Sequence, residues 1–140
     1  MKIMAALDLS KNAVGILEKA VAQTKQSGGE LTILVVAEDF MDIGDYFQVE
    51  TVRASEKFLD AAKAAAAGYA AKAKDLGVVA EVVVEQGVSP ADLIVKVAED
   101  KKIDLLILGS RSKKGLDRFL IGSVASKIVA HAPCSVLVVR

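Results

Sequence analysis

The chain has 140 residues, 53% hydrophobic and only 4% aromatic, with 18 basic side chains balanced by 18 acidic ones. That length suits one domain spanning residues 1–140, large enough to hold a core without staples. The even charge gives no basic surface for nucleic acid or an anionic membrane, the lack of Trp leaves no stacking platform for single strands, and the one cysteine, Cys134, excludes an intramolecular disulfide.

Met1-Lys2-Ile3 runs at once into a strand-like segment, Ile3 to Leu7, too short and too soon interrupted by Asp8 for a signal peptide. No apolar run approaches the ~20 residues of a membrane span, so a cytoplasmic protein is expected. After Asp8-Leu9, Ser10 is placed to cap a helix whose Val14, Leu17, Val21 and Thr24 recur at helical spacing and which Gly28-Gly29 end. Leu31 to Ala37 is a near-continuous apolar strand, as burial on both faces demands. Residues 38–50 are acidic and read as a loop or an irregular helix start. Leu59, Ala62, Ala66, Tyr69, Ala73 and Leu76 then step by three and four along a helix that Gly77 closes. Val78 to Val84 reads as a third strand. Ser89-Pro90-Ala91-Asp92 opens a helix with a capping serine and proline in the first turn, burying Leu93, Ile94, Val97 and Ala98. Asp104 to Leu108 is a fourth strand, Val124 to Ala130 a last helix that Pro133 ends, and Val136 to Val139 a fifth strand.

Strand and helix in alternation predict a parallel sheet with helices on both faces. Ligands bind such sheets beyond the carboxyl ends of the strands, where the winding reverses. Asp8 ends the first strand and Gly109 the fourth, so neighbouring strands would bring both to one crevice. Gly109-Ser110-Arg111-Ser112, nine residues and Gly122-Ser123 bridge the fourth strand and the last helix. Glycines there allow close backbone approach, and the helix N-terminus offers unpaired N–H groups, which together suggest a phosphate cradle. Gly109 and Gly122 can also be read as turn and helix-start glycines, and Asp8 as a helix cap. Arg111, Lys113 and Lys114 suit either phosphate or solvent. His131 suits the dipole at the end of its helix, Cys134 a small buried hydrophobe, and Glu38, Asp39, Asp42 and Asp45 a solvated acidic loop. No G-x-G-x-x-G, Walker loop or nucleophile elbow occurs, and no nucleophile stands beside a base.

These residues resemble the universal stress protein family over the whole chain. The resemblance rests on Asp8, Gly87-Val88-Ser89-Pro90-Ala91, Leu106 to Arg111, Gly122 to Ala125, and His131 to Val139. It implies a three-layer α/β/α fold, of the adenine nucleotide alpha hydrolase-like kind, with a five-stranded parallel sheet of order 3-2-1-4-5. It also implies a homodimer joined through the last strand. One branch of the family binds ATP through Gly, two residues, Gly, nine residues, and Gly with Ser or Thr. Gly109, Gly122 and Ser123 match; Ser112 stands in place of the second glycine, and Leu9 where the family usually has Gly. The resemblance implies that Gly109, Ser112, Gly122, Ser123 and Val124 face the phosphates, with Arg111 beside them. Val36 would hold the adenine, and Asp8 would meet the ribose, the phosphates or a nucleotide-borne Mg²⁺. The implied function is an ATP-binding stress-response protein, a binder or switch rather than a fast enzyme. The alternative is a nucleotide-free dimeric interaction module of the same family.

Overall fold

A computed structural model describes residues 1–38, 48–110 and 122–140. In chain order it contains β1 (Lys2–Leu7), α1 (Ala13–Ser27), β2 (Glu30–Glu38), α2 (Gln48–Asp75) and β3 (Glu81–Gly87), followed by α3 (Pro90–Asp100), β4 (Leu105–Gly109), α4 (Ser123–His131) and β5 (Ser135–Val139). The strands form one sheet of order β3-β2-β1-β4-β5, and all four pairings are parallel. This is the expected architecture. Leu7 lies opposite Val35 and Ala5 opposite Ile107.

Alternate residues of each strand feed opposite layers. Ile3, Ala5, Leu7, Ile33, Val35 and Ile107 pack with α1 and α2, whereas Met4, Leu34, Leu106 and Leu108 pack with α3 and α4. Both faces are thus buried, which is why β1, β2 and β4 read as unbroken apolar runs rather than alternating ones. The chain winds from β1 to β2 and β3 on one side, then crosses through α3 to β4 on the other. The winding therefore reverses between β1 and β4.

Four local expectations need correction. Ser10 does not cap α1; Ala13 N–H donates to the Ser10 carbonyl at 3.2 Å, and the helix begins after Asn12. Val14 is exposed, and the buried face of α1 is Ala13, Ile16, Leu17, Ala20, Val21 and Thr24. β3 starts at Glu81 rather than Val78, because Val78 N–H still closes the end of α2 on the Ala73 carbonyl at 2.9 Å. Ser89 has extended backbone before Pro90, but its hydroxyl pairs with the Asp92 carboxylate instead of capping backbone N–H groups. Among the described residues, no helix is long and apolar enough to cross a membrane.

Candidate functional site

A cavity of about 610 Å³ opens at the carboxyl ends of β1 and β4. Its α3–α4 side is apolar, with Ala6, Leu34, Val36, Ile94 and Leu108 on the wall. Its α1 side carries Asn12, Gly15, Ile16 and Lys19, one helical stripe, and Lys11 and Arg140 add two further cations. Asp8 is the carboxylate among the described lining residues.

Asp8 follows the last residue of β1 and is solvent-exposed. Its Oδ1 accepts the Ser10 N–H at 2.9 Å, an Asx turn that occupies the carboxylate locally rather than at the helix start. Its backbone carbonyl accepts the Tyr69 hydroxyl at 2.5 Å. Tyr69 reaches that far because side chains tilt toward a helix's N-terminus, and α2 begins at the carboxyl side of the sheet. Burial, and then the Asp8 negative charge, push the Tyr69 phenol above its ordinary range. It therefore remains a donor at neutral pH.

Gly109, half-buried at the end of β4, is on the wall. A Cβ there would lie 2.7 Å from Ile16 Cδ1, the far end of a side chain that would have to turn aside. Gly122 is buried with φ −59° and ψ 159°, a conformation open to any residue. Its N–H donates to the Ser110 carbonyl at 2.9 Å, and the Ser110 N–H donates to the Val139 carbonyl at 2.9 Å. The chain leaving β4 and the chain entering α4 are thus joined at one point. Among the described residues α4 shows no side-chain cap, and its first turn, the positive end of its dipole, meets the cavity at Val124 and Ala125.

The structure brings Asp8, Val36, Gly109 and Val124 to the lining of one cavity. Gly122 and Ser123 adjoin Val124 at the head of α4 without lining it. Arg111 and Ser112, with Lys113 and Lys114, lie outside the described residues, as do Asp39, Asp42 and Asp45. Among the described residues, no group of three or more His, Cys, Asp or Glu side chains could hold a metal alone. A lone Asp8 suits a cation only where a polyphosphate supplies the other oxygens. Lys127 and Asp92, 3.0 Å apart, tie α4 to α3 across the apolar side. The Lys127 hydrogen bond, followed by that of Ser89, holds the Asp92 carboxyl below its usual range. Burial pushes the Cys134 thiol up, away from thiolate reactivity.

Sequence reasoning missed Tyr69, which it read only as part of the α2 packing stripe. It also missed the α1 wall, although Asn12, Gly15, Ile16 and Lys19 carry the i, i+3, i+4, i+7 signature of a shared face.

Over residues 1–140 the chain matches the model of the universal stress protein family. A relative from Staphylococcus haemolyticus, named for that family, is 33% identical over 141 residues, covering 99% of this chain and 83% of its own length. Universal stress protein UspA from Lactobacillus plantarum has a similar structure, with a TM-score of 0.88 at 25% identity over 100% of this chain and 97% of that one. Two more distant structures share the fold. A universal stress protein in complex with cAMP has a TM-score of 0.68 at 21% identity, covering 100% of this chain and 97% of its own. One from Archaeoglobus fulgidus in complex with dAMP has a TM-score of 0.62 at 22% identity, covering 100% and 98%.

Proposed function

The chain belongs to the universal stress protein family, and we propose that it binds an adenine nucleotide, ATP with Mg²⁺ foremost, at the carboxyl ends of β1 and β4. One observation carries this reading: Asp8, Val36, Gly109 and Val124, picked out from sequence, line a single cavity. Val36 would receive the base on the apolar side. Asp8 would meet a ribose hydroxyl or the nucleotide's Mg²⁺, because a carboxylate repels bare phosphate. The head of α4, with Gly122, Ser123 and Val124, would receive the phosphates, aided by Arg111 and Ser112. The cAMP and dAMP complexes support an adenine ligand. The protein acts as a binder and switch in the cytoplasm, the nucleotide altering the surface a partner sees.

The test is to denature the purified protein, chromatograph what it releases, and titrate ATP with Mg²⁺ into the emptied protein by calorimetry. Released adenine nucleotide or a micromolar isotherm is expected; neither, with the fold intact, overturns the reading. Limited proteolysis slowed within residues 111–121 by saturating ATP is expected of the switch, and an unchanged pattern would count against it.

One observation favours a second reading, a nucleotide-free interaction module. Ile16 Cδ1 crowds the place of a Cβ on Gly109, which gives that glycine a packing role besides any contact with phosphate. Binding gained only in Ser112→Gly would assign the chain to that class.

A further inference from the structure

The β1–α1 turn has little packing to hold it. Asp8, Leu9, Ser10 and Lys11 are all exposed, Leu9 at 55%. Hydrogen bonds must therefore fix its shape. Within the turn, Ser10 N–H reaches Asp8 Oδ1 and Ala13 N–H reaches the Ser10 carbonyl. Tyr69 adds a tie from a different element, its hydroxyl meeting the Asp8 carbonyl across 61 positions of sequence.

Between Leu59 and Leu76, which pack against the same core cluster, the face of α2 that carries Tyr69 is otherwise alanine. Ala62, Ala66 and Ala73 are buried against the sheet and let the helix lie close to it. Tyr69, one turn after Ala66, is the long exception, half-buried in the same cluster. Its ring packs with the core, and its hydroxyl ends at the residue that brings a carboxylate to the cavity. It is not itself among the residues lining that cavity.

We propose that Tyr69 is a positioning residue of the ligand site: by holding the Asp8 carbonyl, its hydroxyl sets the turn from which Asp8 presents its carboxylate to a bound nucleotide. The inference rests on the nucleotide-binding reading above. The hydrogen bond is solvent-exposed, so without it water satisfies the Asp8 carbonyl and folding loses little. The effect belongs in binding.

The test compares wild type and Tyr69→Phe, which keeps the ring and removes only the hydroxyl. Calorimetric ATP–Mg²⁺ affinity is expected to fall roughly two- to tenfold, the range one neutral hydrogen bond supports, at an unchanged melting temperature. In wild type with ¹³Cζ-labelled tyrosine, the Tyr69 resonance, identified by its loss in the variant, is expected to move on titration although Tyr69 does not line the cavity. Equal affinities, or a Tyr69 resonance unmoved at saturation, overturn the inference while leaving nucleotide binding intact. Should Tyr69→Phe fold poorly, Tyr46→Phe, which leaves Tyr69 as the one tyrosine of the chain, assigns the resonance instead. A wild type that binds no adenine nucleotide overturns the functional reading and this inference with it.

Discussion

At Gly109 two demands meet in one missing side chain. A Cβ there would press on Ile16 Cδ1 at 2.7 Å, and Ile16 is buried between α1 and the sheet. Gly109→Ala is therefore expected to cost about 1 kcal/mol, the low end of the overpacking range, because the crowded atom is a side-chain tip. Ile16→Val, which deletes the clashing methyl, is expected to cost about 0.5–1.5 kcal/mol alone. Urea melts of the double variant should show less than the sum; strict additivity would mean that the glycine is required for something other than α1. Tyr69 makes a pH prediction at the same scale. Its folded-state pKa lies above the ordinary 10.0, so the native state holds that proton more tightly than the unfolded chain. Stability is then undiminished below the unfolded value and falls as pH rises past it. Melts at pH values on either side of 10.0 should show a steeper alkaline loss for wild type than for Tyr69→Phe.

Helix ends show how far local chemistry dictates elements here. Gly28 stops α1 in the left-handed conformation, φ 64° and ψ 26°, its N–H returning to the Lys25 carbonyl. Gly29 stops it for another reason: a Cβ there would lie 2.3 Å from the Met1 carbonyl oxygen. Gly28→Ala is expected to cost about 1 kcal/mol, and Gly29→Ala more, because backbone cannot swing aside as a side chain can. Denaturation midpoints in that order would bear this out. This double glycine was legible in sequence, as were Pro90 and the apolar runs of β1, β2 and β4. The start of β3 was not. Val78-Val79-Ala80 continue an apolar run, yet Val78 finishes the helix and Val79 is 84% exposed. Composition carries no trace of which partner takes an N–H. The candidate site divides in the same way. Residues set by strand ends, Asp8 and Gly109, could be placed from order alone, whereas the α1 wall and Tyr69 depend on how helices lie on the sheet.

For the molecule as a whole, the sheet has two outer strands, β3 and β5. β5 pairs with β4 along one side, and Val136, Leu137, Val138 and Val139 are only half-buried. An apolar outer strand invites a two-fold partner, which is where the family resemblance would place the joint of a homodimer. Val138→Lys is expected to shift the protein from dimer to monomer in multi-angle light scattering; an unchanged mass would rule out this edge as the joint.

The bond from Gly122 N–H to the Ser110 carbonyl has a consequence for how such a protein can vary. It acts as a hasp: the sheet and α4 are fastened together whatever length of chain passes between them. The cost of a longer span then grows only logarithmically, so doubling it is expected to cost about 0.6 kcal/mol, a drop a urea melt would resolve. A segment fastened in this way can be rewritten in length while the stability of the frame that holds it changes little.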